Sequence, residues 1–400
     1  MRIQPGCFLS ICVLVSSLCA SAQSTPAVKP RARDLGVTFD GTPGPLDAIT
    51  DVAGVEVGST TLISGNGPLK VGVGPVRTGV TAILPRGRSN PDPVYAGWFS
   101  LNGNGEMTGT TWVEESGILA GPLAITNTHS VGVVRDAVID WTVKHHWIGS
   151  GSDSWSLPVV AETWDGYLND LNGFHVKPEH VFSALDSAKG GAVPEGNVGG
   201  GTGMVCYGFK GGTGTASRKI TAEMGGYTVG VLVQCNCGRR PQLTISGVPV
   251  GKEIPDGAPY AKLGPRTSPL PGSEAEGDVG SIIIVVATDA PLLPTQLKRL
   301  ARRASLGVAR TGSISGNGSG DIFIAFSTGN AHMDDPPGPN TVKTVSNERI
   351  SPLFAATVEA TEEAIVNAMV GAETMVGIDG HTVNALPHDK LQQALKKYNR

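Results

Sequence analysis

Short, continuous apolar runs and longer amphipathic stretches alternate along this chain. Thr78–Leu84 (TGVTAIL), Leu157–Glu162 (LPVVAE), Tyr227–Gln234 (YTVGVLVQ), Ser281–Ala287 (SIIIVVA) and Asp321–Ser327 (DIFIAFS) are runs of strand length, rich in β-branched and aromatic residues. Ser281–Ala287 shows no polar alternation at all, the mark of a strand buried on both faces. Gly117–Thr128 holds more apolar strand material, and Asp34–Gly58 mixes turn signals with short strands. Apolar residues recur at helical spacing in Ser130–Val143, Lys177–Gly190, Pro294–Arg310 and Pro352–Met369. Pro178 suits the first turn of its helix, where no N–H is needed. Ser351 is the expected N-cap of the last helix. No fixed-period repeat is visible. These elements predict layers of α and β structure, with sheets covered by helices.

Two stretches break the pattern. Gly97–Gly109 (GWFSLNGNGEMTG) reads as a glycine-rich loop region. Val250–Gly280 contains Pro255, Pro259, Pro265, Pro269 and Pro271 and few large apolar residues. It is expected to be long, irregular and exposed, a kind of segment that is usually functional or disordered. It runs straight into the Ser281 strand.

The start of the chain reads as an export signal over residues 1–22. Met1-Arg2 is basic, Phe8–Ala20 is apolar, and Ala20-Ser21-Ala22 fits the small-residue cleavage pattern before Gln23. The apolar run falls short of the ~20 residues a membrane span needs. The expectation is an exported, periplasmic or secreted protein with no membrane attachment once the signal is removed. Charged residues are only 16% of the chain and the formal charge is -4, which argues against a nucleic-acid binder. Glycine supplies 55 of 400 residues, about twice its usual ~7% share, and so predicts many tight turns and close backbone contacts.

Removal of the signal leaves Cys206, Cys235 and Cys237. An odd count predicts no paired disulfide framework. Cys235 and Cys237 share a strand face about 6.5–7 Å apart, too far for easy bridging, so core thiols are expected. The ligands of a zinc site are not apparent, and no cofactor is implied.

Candidate chemistry sits in five places. A break between Gly280 and Ser281 would give Ser281 its own α-amine as general base. Gly280 would leave the attacked carbonyl unobstructed, and an N-to-O acyl shift by the same hydroxyl could make the cut. Taken alone, a strand beginning after a loop is the simpler account. In Gly316–Asp321 (GNGSGD) the Ser319 hydroxyl and Asp321 carboxylate could position an amine or relay a proton, or the stretch is a glycine turn. Glu162 could pair with a cationic substrate group and Tyr167 could hydrogen-bond a nucleophile, or both lie in an ordinary surface loop. Asn236 could donate to an oxyanion, or simply end its strand. Gly196–Gly203 lacks the GKS/GKT ending of a P-loop and reads as close backbone packing. No GxSxG or HExxH occurs, while a Ser–His–Asp set is compatible with any spacing.

Taken together, ETWDGYLNDLNGFHV, GNVGGGTGMVCYGFKGGTGTASR, GVLVQCN, the Gly280–Ser281 junction and GNGSGD resemble the L-aminopeptidase D-amidase/D-esterase family, which includes the β-aminopeptidases. The resemblance spans about Arg33–Pro387. It implies a four-layer αββα sandwich, α+β in class, laid out like the N-terminal-nucleophile hydrolases but with different strand connectivity. It also implies one catalytic domain in which the precursor cleaves itself into an α chain (23–280, with a linker over about 251–280) and a β chain (281–400) that stay together. By the same resemblance, Ser281 is the nucleophile and new N-terminus, and Ser319 and Asp321 hold its amine. Asn236 is the oxyanion donor, Tyr167 touches the nucleophile, and Glu162 binds the free amine of a peptide, amide or ester substrate. No metal or cofactor is implied, and the αβ units are expected to form a homo-oligomer, a tetramer. Cys235 and Cys237 flank Asn236 where the family more usually has small or aromatic residues. An acyltransferase related to the ornithine acetyltransferases, or a non-catalytic exported binding protein of the same fold, are the competing readings. The first would characteristically begin its β chain with Thr and act inside the cell.

Overall fold

A computed structural model describes residues 1, 29–148, 151, 154–259, 280–331 and 341–400. Residues 2–22 of the expected signal peptide and most of the expected linker lie outside the described residues. In chain order the strands are β1 (Glu56–Ser64), β2 (Val76–Leu84), β3 (Val94–Ser100), β4 (Ile118–Leu119), β5 (Leu123–Asn127), β6 (Val159–Thr163), β7 (Val205–Cys206), β8 (Phe209–Lys210), β9 (Gly212–Lys219), β10 (Thr228–Asn236), β11 (Ser281–Thr288), β12 (Gly320–Ser327), β13 (Met375–Val376) and β14 (Thr382–Val383). The α-helices are α1 (Thr110–Ser116), α2 (Val131–Lys144), α3 (Pro178–Asp186), α4 (Val250–Glu253), α5 (Pro294–Arg310), α6 (Ser351–Val370) and α7 (His388–Lys397).

Two large sheets form the middle of the molecule. One has the order β1-β2-β5-β6 and the other β4-β3-β12-β11-β10-β9. Successive side chains of a strand point to opposite faces, and here both faces are covered. In β11, Ile283 and Val285 join Ile125, Val159 and Ala161 of the smaller sheet in an inter-sheet core. Ile282, Ile284 and Val286 instead pack with Leu297, Leu300 and Ala304 of α5 and Ala360 and Ala364 of α6. On the far side, Val80, Ala124 and Val160 pack against Val134, Val138 and Trp141 of α2 and Val181 and Leu185 of α3. The result is helices, sheet, sheet, helices: the expected αββα sandwich. Burying each of the large side chains of β11 contributes roughly 1.5–3 kcal/mol, which explains why a run this apolar becomes the central strand.

The parallel pairing of β11 with β12 and the antiparallel pairing of β11 with β10 place residues from distant parts of the chain side by side. Residues 281–400 therefore supply the two central strands of the six-stranded sheet, flanked on either side by strands from earlier in the chain. The N-terminal segment is clasped across the same layers. Arg33 makes a bidentate bond to Glu363 of α6 at 2.7 and 2.8 Å, and the buried Arg218 pairs with Glu363 at 2.7 Å. Arg31 bonds Glu195 at 2.8 Å and Asp47 at 3.2 Å. Burial and the nearby Glu363 push Asp47 up to about 7.

Several expectations are corrected. Gly97–Ser100 belongs to β3 rather than to a loop. A side chain at Gly97 would begin 2.4 Å from the backbone N of Lys298, so the glycine admits α5 onto the sheet. Ser351 is the first helical residue of α6, and Ile350 occupies the cap position with no side-chain bond. The third helix ends at Asp186, short of Gly190. Val250–Glu253 is a helical turn with Val250 and Gly251 buried, and Arg240 holds the Ile254 and Asp256 carbonyls at 2.9 and 2.8 Å, so the irregular segment starts later than its composition predicts. The cysteines are not all thiols: a disulfide joins Cys206 and Cys235, whose Cα atoms are 5.8 Å apart. The strand that brings Cys206 beside the end of β10 is only two residues long, and counting cysteines cannot reveal it.

Candidate active site

Ser281 opens β11 and is buried. It is opposed by Asn236, the last residue of β10, and by Gly320, the first of β12. Ser281 shares a strand face with Ile283, and Asn236 shares one with Leu232, so both side chains belong to the inter-sheet face. The Gly320 N–H donates to Ser281 Oγ at 3.2 Å. Gly280 is pressed against the neighbouring strand end: a Cβ there would lie 2.3 Å from the Asn236 carbonyl oxygen and 2.6 Å from Cys237 Cα. Only glycine fits this approach without displacing backbone.

Asn236 is oriented from one side. Its Oδ1 accepts the Val205 N–H at 2.7 Å, which leaves the Nδ2 end of the amide as the donor. Two residues earlier on the same face, Gln234 Nε2 donates to the Thr126 carbonyl at 2.9 Å and to Thr163 Oγ1 at 2.7 Å. This polar clasp locks the two sheets together directly behind the site.

Ser319 and Asp321 flank Gly320. Ser319 Oγ donates to Asp321 Oδ1 at 2.6 Å, and the Ile282 N–H donates to the same oxygen at 3.2 Å. A turn closed by the Ser319 N–H to the Gly316 carbonyl at 2.9 Å carries the pair. Residues 101–104 buttress that turn. Asn102 Oδ1 accepts the Asp321 N–H at 2.6 Å while its Nδ2 donates to the Ser315 and Gly316 carbonyls at 3.1 and 3.2 Å. Asn104 Nδ2 donates to the Gly318 carbonyl at 2.8 Å.

Glu162 lies at the end of β6, across a cleft of roughly 470 Å³ shared with Ser281, Asn104, Glu106, Thr128, Trp164 and Gly318. Its Oε1 accepts the Glu106 N–H at 3.0 Å and its Oε2 accepts the Thr128 hydroxyl. Burial raises its pKa above the ordinary carboxylate value, and these two hydrogen bonds only partly offset that. A buried carboxylate facing a cleft is suited to a cationic guest, whose charge would replace the lost hydration.

Tyr167 is placed differently. Its hydroxyl donates to the Pro259 carbonyl at 2.6 Å, and its ring stacks on His381 with centroids 4.5 Å apart. It packs with Leu168, Val205 and Met375, so it adjoins the Val205 segment that orients Asn236, while Trp164 from the same loop faces the cleft. The structure thus places Ser281 and Glu162 on one cleft, sets Asn236 and Gly320 opposite Ser281 on the neighbouring strands, and joins Ser319 to Asp321 on either side of Gly320. Tyr167 lies against Pro259 instead. Thr128, Asn102 and Val205 escaped the sequence reading. Asn102 and Asn104 were legible only as part of the glycine-rich loop region Gly97–Gly109, and Val205 acts through its backbone, which no side-chain pattern can signal.

Gly199–Gly203 forms a buried 3-10 turn, as the close-packing reading expects. Lys210 is buried beneath it and donates to the Met204 and Gly211 carbonyls at 3.0 and 2.9 Å. Burial lowers Lys210 to about 7 and raises nearby Asp165 to about 6. Among the described residues no helix is long and apolar enough to cross a membrane.

Comparison with known proteins bears on the same residues. A model of peptidase family S58 matches residues 47–383. The β-peptidyl aminopeptidase BapA of Sphingosinicella microcystinivorans is 55% identical over 389 residues, covering 97% of each chain. That of Sphingosinicella xenopeptidilytica is 48% identical over 403 residues, covering 99% of this chain and 97% of the other. A solved structure of the L-aminopeptidase D-Ala-esterase/amidase of Ochrobactrum anthropi, described as a prototype of the serine aminopeptidases and a new variant of the Ntn hydrolase fold, superposes with a TM-score of 0.85 at 50% identity, covering 93% of this chain and 99% of that one.

Proposed function

The chain belongs to peptidase family S58 and is an aminopeptidase, and from that premise we propose that it cuts itself before Ser281 and then uses Ser281 as an N-terminal nucleophile. The observation that carries this reading is the position of Ser281: buried at the first rung of a central strand, between Asn236 and Gly320, on the wall of the cleft that also holds Glu162.

In maturation, Ser281 Oγ attacks the Gly280 carbonyl, the peptide nitrogen leaves as the Ser281 amine, and water hydrolyses the resulting ester. The products are an α chain ending at Gly280 and a β chain beginning at Ser281. They stay together because the β chain contributes the two central strands of a sheet whose other strands belong to the α chain. In turnover, Ser281 Oγ attacks the carbonyl of the substrate's N-terminal residue. The Ser281 amine, directly or through the Ser319 hydroxyl, takes the proton and returns it to the leaving amine or alcohol; water then attacks the ester on Ser281 Oγ, giving up a proton by the same route, so that the free amino acid leaves and the hydroxyl is restored. Asp321 orients Ser319 through their 2.6 Å bond. Asn236 Nδ2 meets the charge that develops on the carbonyl oxygen. Glu162 pairs with the substrate's ammonium group and so restricts the enzyme to free N-termini. Peptides, amino-acid amides and esters all fit this scheme.

Export of the protein is part of the same proposal. It is supported by the order of basic start, apolar run and small-residue site in residues 1–22, and by the Cys206–Cys235 disulfide, since such bonds persist in oxidising compartments. Assembly of αβ units into a tetramer rests on the family resemblance.

Hydrolysis of a β-alanyl and an L-alanyl p-nitroanilide, each beside its N-acetyl derivative, tests the catalytic reading. Turnover of at least one free-amine substrate with none of the acetylated pair is expected. Equal turnover of both members of a pair would rule out Glu162 as an ammonium site.

A further inference from the structure

The end of β10 is tied to the β7 segment by three successive links. The Val205 N–H donates to Asn236 Oδ1 at 2.7 Å, a disulfide joins Cys206 to Cys235, and the Tyr207 N–H donates to the Cys237 carbonyl at 2.7 Å. The covalent link is the middle one. Cys206 directly follows the residue that holds the Asn236 amide, and Cys235 directly precedes Asn236. Asn236 needs such support because it is the last residue of its strand, where the sheet ladder stops fixing the backbone. All five of Val205, Cys206, Tyr207, Cys235 and Asn236 are buried, so the links form one block rather than a surface clip.

We propose that the Cys206–Cys235 disulfide positions Asn236, fixing the hydrogen bond that aims its amide at the developing oxyanion. The inference rests on the reading of Asn236 as oxyanion donor. Both cysteines are positioning residues: neither side chain reaches the reacting atoms. Opening the disulfide leaves two thiols that can rotate apart, so Val205 and Asn236 lose their fixed separation and the amide spends part of its time misaligned. Removing an oxyanion donor altogether typically costs about 10²–10³-fold in kcat. Loosening it should cost about 10-fold, with KM within about twofold, because the donor acts on the transition state and not on the bound substrate.

The test begins with peptide mapping of the processed, unreduced protein, which should yield a Cys206–Cys235 cross-linked pair. Cys237 Sγ lies 4.0 Å from Cys235 Sγ, and the three sulfurs lie within 4.8 Å of one another. Recovery of a pair containing Cys237 in place of Cys206–Cys235 would overturn the proposal. Kinetics then compare four proteins per processed site: wild type, the Cys206→Ala/Cys235→Ala pair, Asn236→Ala, and the three changes combined. Treating processed wild type with a water-soluble phosphine, with alkylation and mass spectrometry of the new thiols to select samples in which the buried bond has opened, gives a second route to the open state that does not depend on folding of a variant. The phosphine attacks one sulfur and releases the other as a thiolate; water then hydrolyses the adduct, giving phosphine oxide and two thiols. The expected result is an about 10-fold fall in kcat by either route in the wild-type background, and less than about twofold in the Asn236→Ala background. Residues acting through one group are non-additive, whereas a general structural role would lower both backgrounds alike. Equal falls in both backgrounds, or no fall in wild type while Asn236→Ala is impaired, would overturn the positioning role alone. A normal kcat for Asn236→Ala would overturn the site reading and the inference with it.

Discussion

Asn236 and Ser281 are opposed residues at the terminal rung of the β10–β11 ladder, and their side chains share the inter-sheet face. The register of two strands thus sets the distance between the proposed nucleophile and the proposed oxyanion donor. A slip of one residue would turn either side chain to the helix face. If this pairing serves catalysis, Asn236→Ala should lower kcat by about 10²–10³-fold, roughly 3–4 kcal/mol, with KM little changed. Steady-state kinetics on the processed protein check this. A rise in KM at unchanged kcat would place Asn236 in ground-state binding instead.

Glu162 sets a second expectation. Burial raises its pKa, so its proton is lost only above the usual carboxylate range. Only the ionised form can pair with an ammonium group. Substrate capture should therefore be complete above the raised value and fall as pH drops through it, beginning at a higher pH than for an exposed glutamate. The linkage to folding runs in the same window: the folded state holds this proton more tightly than the unfolded chain, so ionised Glu162 opposes folding and protonation relieves the cost. Glu162→Gln should raise KM for free-amine substrates by at least about 10-fold and flatten the acid limb of kcat/KM, and pH profiles of the two proteins would check both effects. An unchanged acid limb would assign that titration elsewhere.

Much of this arrangement was legible in the chain. The apolar runs at Thr78, Tyr227, Ser281 and Asp321 became central strands because they are covered on both faces, and no polar alternation is needed there. β9 was harder to see, since its inward residues are Thr213, Thr215 and Ser217. Two of these are satisfied by the N-terminal segment: Thr215 Oγ1 accepts the Ile49 N–H at 2.8 Å, and Ser217 Oγ donates to Asp51 at 2.6 Å. Partners more than 160 residues away in sequence carry no local signal. Of the site, the Ser281 junction and GNGSGD could be singled out as unusual, but each alone was explained as well by a loop or turn. The five blocks in order made the family recognisable. Single residues could not show that Asn102 and Val205 hold Asp321 and Asn236 by hydrogen bonds that have no sequence motif.

Gly280 gives a prediction about maturation. The 2.3 Å approach of a Cβ to the Asn236 carbonyl oxygen means that a side chain there must push the cut site out of register. Gly280→Val should slow self-cleavage by at least about 10-fold, since small misplacement of a reacting carbonyl can cost about 10²-fold. A time course on denaturing gels measures it. Cleavage at the wild-type rate would show that residue 280 moves away from Asn236 before the cut.

Arg218 separates stability from catalysis. It is buried, pairs with Glu363 at 2.7 Å, and donates to the Asp40 carbonyl at 2.8 Å, far from the cleft residues. Arg218→Met leaves buried carboxylates short of a counter-charge and should cost about 3–5 kcal/mol of stability. Denaturant unfolding should show this loss, while KM of the folded, processed fraction stays within about twofold. A large KM change would tie the network to the substrate site.

The central claim is that Ser281 cuts the chain and then becomes its own catalytic N-terminus. Intact mass spectrometry of the denatured protein, beside a Ser281→Ala variant, tests it most directly. The account predicts two chains from the wild type, one beginning at Ser281, and an uncut, inactive variant. A wild-type chain that remains whole yet hydrolyses aminoacyl amides, or a Ser281→Ala variant that is cut as efficiently, would contradict it.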